Sequence, residues 1–301
     1  SLAAGCPIER LHHVRGTCYI AASTDDIQGE YLLLPSCEAV STNKAQYAEA
    51  AKISFYEQDA VRGKTLVQAH GNRYVIQNPP MPPLSGKKLD EIYELPYTRK
   101  AHPMYDALGG VPALSEVQFS ITSSRGCFGS CNFCSLTFHQ GRTVTARSHE
   151  SILREAHILK DLPGFKGYIH DVGGPTANFR YPACQKQLKA GVCRDKRCLY
   201  PKPCAAIRAD HSDYRLLLQK LAYHVSGQLK VAPEHIAYTV LAAMGKPANR
   251  VYEAFESKFK KINAELGKEQ YLVPYLMSGH PGSTLQEAIE LAEYLRRKKI
   301  R

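Results

Sequence analysis

Cys127, Cys131 and Cys134 stand at the spacing C-x3-C-x2-C, on a short stretch that also carries Gly126, Gly129 and Phe133. Thiolates this close together suit a soft metal, iron or zinc. Iron–sulfur clusters are commonly held by four cysteines, often in closely spaced runs. Here the local run stops at three. A cubane held by three thiolates has one iron without a protein ligand, and that iron can take a substrate or cofactor. The two glycines give the backbone freedom to wrap a bulky group where side chains would collide. Zinc is the rival: with His139 the same cysteines make a Cys3His set. Zinc motifs usually come as two short pairs around a longer spacer, however, so the spacing favours iron–sulfur.

Cys184, Cys193, Cys198 and Cys204 form a second group, at C-x8-C-x4-C-x5-C among Lys and Arg. Four thiols in such a stretch suit zinc or an auxiliary iron–sulfur cluster; the plain alternative is a set of free thiols. Cys6, Cys18 and Cys37 show no ligand spacing and read as buried thiols. Gly173-Gly174-Pro175-Thr176 is a site where bare backbone can approach a ligand and its carbonyls accept from an ammonium; otherwise it is a tight turn. Glu234 and His235 can act as general acid and base or form a surface ion pair. His170 and Asp171 point to opposite faces of a strand, so at most one faces an interior. His280-Pro281-Gly282 lines a site or makes a turn.

The elements that position these residues follow from periodicity. Residues 18–22 and 31–34 read as short strands, and a helix capped by Ser41 or Thr42 follows. Residues 71–77 read as a strand that ends at the extended segment Pro79–Pro83. A short helix over 89–95 and a loop through 102–105 come next. From Val111 strands alternate with helices: strands over 117–122, 167–172, 228–231 and 271–277, and helices over 148–160, 214–225, 251–266 and 285–299. Ser148 caps the first of these helices, whose apolar stripe is Ile152, Ala156 and Leu159. The glycine and polar motifs all sit just after strands. In parallel α/β folds active sites lie outside the carboxyl ends of the strands, so this coincidence points to one shared site.

The net charge is +11 and the hydrophobic content 44%. No apolar run reaches membrane-spanning length, which predicts a soluble protein. The start SLAAGCPIERLHH has no secretory pattern and no initiator Met, which suggests a fragment. The positive charge is scattered. Its densest cluster, Arg296–Lys299, ends a helix and complements the helix dipole, so solvated surface charge is favoured over an RNA-binding patch. Ten cysteines in a chain of this length with no secretory signal predict metal binding in a reducing cytoplasm, not a disulfide framework.

The cysteine loop, including the aromatic residue before the third thiol, resembles the cluster motif of the radical S-adenosylmethionine (SAM) superfamily. The phrases SITSSRGCFGSCNFCSLTFHQGR, ARSHES, GYIHDVGGPTANFR, LKVAPEH, GKEQYLVPY and HPG are similar to those of its YgiQ-like family, from about Tyr31 onward. The resemblance implies a 4Fe–4S cluster on Cys127, Cys131 and Cys134. It also implies SAM binding near Gly173, Gly174, Pro175 and Thr176 and near Glu234 and His235. Pro175 stands where the superfamily usually has an acidic residue, leaving backbone contact as the main carry-over. The expected fold is α/β, a partial TIM-like (β/α) barrel over 111–301 with a Cys-rich insertion at 180–210, preceded by an α+β accessory region over 1–110. Four strand–helix units are visible where such a barrel has six. A strand the family has before residues 224–235 is missing, and the chain stops before a sixth. A reducing partner such as flavodoxin or ferredoxin is implied; a nucleic acid or a phosphorylated metabolite suits the charge as substrate, and no membrane is expected. Two other readings are a zinc-stabilised nucleic-acid-binding protein and an electron-transfer iron–sulfur protein without SAM.

Overall fold

The computed structural model describes residues 5–175, 179–182, 184–194, 197–221, 227–267 and 269–300. The first part of the chain forms a four-stranded sheet of β1 (Cys18–Ala21), β2 (Tyr31–Leu34), β3 (Thr65–His70) and β4 (Arg73–Gln77), in the order β1-β4-β3-β2. β4 runs antiparallel to β1 and β3, while β2 is parallel to β3. A parallel neighbour needs a crossover, supplied here by α1 (Cys37–Thr42) and α2 (Lys44–Glu57). The single helix expected from Ser41 is therefore two. Asn43, at φ −126° and ψ 112°, leaves helical space and its side chain accepts from the N–H groups of Ala45 and Gln46, while Ser36 caps α1. Asn competes with the helical backbone in this way, which suits it to a cap. β3 was not legible: six residues with three buried in a row show no alternation. Ser85 caps α3 (Gly86–Tyr93), and the loop expected around His102 is a 3-10 helix over Pro103–Leu108.

From residue 114 the elements are α4 (Leu114–Val117), β5 (Ser120–Thr122), β6 (Ser124–Arg125), α5 (Leu136–Gln140), β7 (Thr145–Ala146), α6 (His149–Lys160), β8 (Asp171–Gly173), α7 (Gln185–Ala190), α8 (Ser212–Lys220), β9 (Gln228–Glu234), α9 (Tyr238–Met244), α10 (Arg250–Leu266), β10 (Tyr271–Leu276) and α11 (Leu285–Lys298). Ser148 caps α6 as its sequence predicts, and Ile152, Ala156 and Leu159 are buried. That stripe packs with Phe119, Ile121, Ile169, Val172, Leu217 and Leu221, so α6 and α8 cover the β5–β8 pair. Each fully buried Ile or Leu contributes about 1.5–3 kcal/mol.

The parallel strands stand as two pairs, β5 with β8 and β9 with β10. Among the described residues these pairs are not joined, and the sheet does not close into a barrel. The strands expected over 117–122 and 167–172 are shorter, because Leu114–Val117 is helical and pairing begins at Ser120 and Asp171. No helix of the described residues is long and apolar enough to cross a membrane.

Candidate functional site

β6 and β7 pair antiparallel through Ser124↔Ala146 and Arg125↔Thr145. They close the base of a hairpin that carries all three cysteines of the C-x3-C-x2-C run. Gly126 has φ +91°, and a Cβ there would lie 2.0 Å from the Thr143 carbonyl oxygen, so only glycine fits. The Cys127 N–H donates to Gly141 O at 2.9 Å across the hairpin. Gly129 faces the sulfurs: its missing Cβ would lie 3.4 Å from Cys127 Sγ and 3.9 Å from Cys131 Sγ. Its N–H donates to Cys127 Sγ at 3.4 Å. Cys127 is buried, and Cys131 and Cys134 are half-buried. Burial pushes the Cys131 thiol up; Cys127, Cys134 and Glu234 add to this and Lys246 opposes it. The three thiols, Glu234 and Lys246 thus share one electrostatic neighbourhood.

The loop is docked on α9. Asn132 donates from its backbone N–H to Met244 O at 2.9 Å and from Nδ2 to Ala243 O at 2.5 Å, taking up carbonyls that a helix end leaves unpaired. Phe133 and Met277 both pack against Val240, Leu241 and Met244, and the Phe133 ring meets His280 edge-on with centroids 5.9 Å apart. Lys246, just past α9, donates to Ala232 O at 2.8 Å and lies 3.8 Å from Glu234 Oε1. Glu234 ends β9 at φ +70°, a conformation side chains other than glycine rarely adopt. Burial raises its carboxyl pKa and Lys246 opposes the shift. His235 is fully buried; its Nδ1 accepts from the Ala237 N–H at 3.0 Å, and its Nε2 has no hydrogen-bond partner among the described residues. Burial lowers its pKa.

Gly173 and Gly174 lie beside the base of the same hairpin. Gly173 O accepts from the Ser123 N–H at 2.7 Å, and a Cβ on Gly174 would fall 2.0 Å from Ser124 Oγ. Pro175 follows, and Thr176 lies outside the described residues. Two buried arginines frame this strand end. Arg147 donates to Thr122 O at 3.0 Å and pairs with Glu155; Arg180 donates to Ser123 O at 3.1 Å and Arg147 O at 2.6 Å and pairs with Asp213.

Among the described residues no group of three or more His, Cys, Asp or Glu is arranged to hold a metal ion. A zinc shell needs four donors about 2.0–2.3 Å from one point, so the Cys3His reading is not formed, and His139 is exposed. The second cysteine group does not make an ion shell either, although its members are neighbours: burial and the proximity of Cys184, Cys193 and Cys204 push the Cys198 thiol up to about 11. Cys18 is exposed and Cys6 and Cys37 are half-buried, which corrects the expectation of three buried thiols. Cys18 opens an edge strand with an exposed first position. Asp171 opens β8, and the His170 ring just before it lies against Phe119 and Tyr168. Sequence reading missed Asn132, Lys246, Arg147 and Arg180. None belongs to a spacing pattern, although the Gly245 that ends α9 marks where Lys246 begins.

A family model described as Radical SAM N-terminal matches residues 1–120. A UPF0313 protein of Clostridium botulinum (strain ATCC 19397 / Type A) is 52% identical over 326 residues, covering 97% of this chain and 50% of that protein. A UPF0313 protein of Clostridium perfringens (strain SM101 / Type A) is 50% identical over 319 residues, covering 95% of this chain and 48% of its own length. Both alignments run longer than the 301 residues of this chain, so these relatives carry residues with no counterpart here. The chain spans about half the length of the curated relatives it matches. Over nearly its whole length the chain is thus similar to UPF0313 proteins, and its first 120 residues match the Radical SAM N-terminal family.

Proposed function

We propose that this chain binds a 4Fe–4S cluster through Cys127, Cys131 and Cys134 and holds SAM at the open iron, as a radical SAM enzyme. The observation that carries the reading is Gly129: its bare Cα faces two of the three sulfurs and its N–H donates to one of them. The absent side chain leaves room for a group larger than one ion, and an N–H···S bond is a standard way to tune a cluster. When bound, such a cluster supplies the electron that splits the sulfonium of SAM into methionine and a 5′-deoxyadenosyl radical, which takes hydrogen from a substrate.

The chain's own residues orient the cofactor and exclude water. In this reading the carbonyls around Gly173 and Gly174 accept from the SAM ammonium, since Gly174 already sits against Ser124 at the hairpin base. Glu234, half-buried beside Lys246, faces the ribose side; His235, buried behind it, fixes the backbone turn into α9. Residues 111–301 supply the open core of a TIM-like barrel, and residues 1–110 pack as an accessory region.

The +11 charge supports an anionic substrate, a nucleic acid or a phosphorylated metabolite. The thiols call for a reducing compartment such as the cytoplasm, with flavodoxin or ferredoxin as electron donor. Anaerobic reconstitution with iron and sulfide, followed by a 5′-deoxyadenosine assay with SAM and a reductant, tests the proposal. Brown protein that releases 5′-deoxyadenosine supports it. Cys131→Ala abolishes that release and Cys18→Ala leaves it intact; release that survives in the Cys131 variant overturns the assignment.

A further inference from the structure

We infer that a cavity of about 580 Å³ beside the cysteine hairpin binds a metabolite-sized organic anion, a carboxylate carried on an apolar body, with Arg125 as its anchor. The cavity lies where the hairpin, through Arg125 on one arm and residues 138–143 on the other, meets the turn after α2, the proline segment and α7. None of Cys127, Cys131 and Cys134 lines it, so it is separate from the site described above. Its size falls among small-molecule pockets, about 300–1,000 Å³.

The walls are fixed by hydrogen bonds within the chain. Arg15 donates from Nη2 to Ala60 O at 2.8 Å and from Nε to Pro80 O at 3.0 Å, tying the turn after α2 to the proline segment. Gln58 Nε2 donates to Phe138 O at 3.2 Å, which joins the same turn to the hairpin. Asp59 accepts from the N–H groups of Val61 at 2.8 Å and Val192 at 2.6 Å, which joins it to the end of α7. Pro80, Pro82 and Pro83 make a stiff, extended wall with no N–H of their own. A cavity held open in this way loses little to ordering when a ligand enters.

The lining fixes the chemistry of the ligand. Val61, Met81, Leu84, Phe138 and Leu188 line the cavity and are 40–56% exposed. Single exposed apolar side chains need no explanation, but five around one cavity mark a binding surface. The polar groups left over are donors. Arg125 is half-buried, and its guanidinium has no hydrogen-bond or ion-pair partner among the described residues. Gln140 Oε1 accepts from the Gly126 N–H at 3.4 Å, which leaves its amide nitrogen to donate. Arg142 also lines the cavity, but it donates to Ser130 Oγ and Phe55 O. Asp59, the one carboxylate in the lining, uses both oxygens on backbone N–H groups. One cation is therefore left unmatched over an apolar surface. A guanidinium fork meets a carboxylate through two parallel hydrogen bonds, and the apolar walls cover the rest of the ligand.

The test compares two probes of one shape, 2-naphthoate and 2-naphthamide. Each is titrated by fluorescence anisotropy into the whole chain, which has no Trp to interfere. The carboxylate binds at least about tenfold more tightly than the neutral amide, as a hydrogen bond to a charged group implies. Arg125→Gln narrows that gap to about twofold by weakening the carboxylate alone, since only the neutral part of the contact remains. Val61→Trp, at an exposed position on the rim, fills the cavity and weakens both probes. Equal binding of the two probes to the parent chain overturns the inference, as does no binding of either. A carboxylate preference that survives Arg125→Gln, or binding unaffected by Val61→Trp, overturns it as well. The comparison on the parent chain needs no variant and decides the matter should a variant fail to fold. Neither substitution touches the three cysteines, so either outcome leaves the radical SAM reading where it stood.

Discussion

The Lys246 ammonium acts on the Cys131 thiol and opposes what burial and the neighbouring thiols do. Removing that charge raises the thiol pKa further and lowers the thiolate fraction at a given pH. In cluster-free protein, Lys246→Met therefore slows iodoacetamide alkylation of Cys131 and moves its pH midpoint upward. An unchanged or faster rate, read by peptide mass spectrometry, would show that the ammonium does not act on that sulfur. His235 makes a second prediction. Its folded pKa lies below the ordinary value of about 6.5, so below that pH the unfolded chain takes a proton that the folded chain resists. Stability is fully present above about pH 6.5 and falls as the pH drops from there toward the lowered folded value. His235→Gln flattens this fall, measured as urea midpoints of cluster-free protein at a series of pH values; an equal fall in the variant rejects it.

At the scale of elements, the cysteine hairpin takes its position from the carboxyl end of α9. Asn132 does this with one backbone and one side-chain donor. Asn132→Ala removes the second and costs about 1 kcal/mol in chemical denaturation. Asn132→Asp costs more, because a carboxylate would face the Ala243 carbonyl at the negative end of the helix. Should Asp prove milder than Ala, the docking geometry is wrong. Phe133 explains why an aromatic residue suits the position before Cys134: it packs on the buried apolar face of α9 and meets His280 edge-on. A small residue there would leave the loop resting on hydrogen bonds alone.

At the scale of the molecule, residues from the first sheet region hold the cysteine-rich segment. Asp59 is buried and accepts from the N–H groups of Val61 at 2.8 Å and Val192 at 2.6 Å; Arg62 also reaches Val192 O. A Cβ on Gly191 would meet Asp59 Oδ2 at 2.5 Å, so the two backbones are in close contact. Asp59→Ala leaves these donors unmatched and costs about 2–3 kcal/mol. Limited proteolysis should then cut within 191–211 faster than in the parent chain, while cleavage elsewhere stays the same. Equal cutting rates would show that the segment does not depend on this clamp. Arg142 performs a similar join for the first loop, donating to Phe55 O at 2.8 Å with its guanidinium 4.1 Å from the Phe55 ring centroid.

The α6 stripe, the Ser148 cap, the four strand–helix units and the tight cysteine run were legible in the sequence, because each depends on residues a few positions apart. β3 was not, since a buried strand shows no alternation; nor was the break at Asn43, where capping competes with an otherwise continuous helical pattern. Asn132, Lys246, Arg147 and Arg180 gain their meaning only from partners far along the chain. By itself the sequence determined which thiols are close enough to share a soft metal and which glycines leave backbone bare. Only the tertiary structure decided that α9 and the end of β9 close around that loop, and that the parallel strands stand as two pairs. Spacing along a chain constrains neighbours within one turn or loop; long-range packing and buried hydrogen bonds choose which of those neighbourhoods come together.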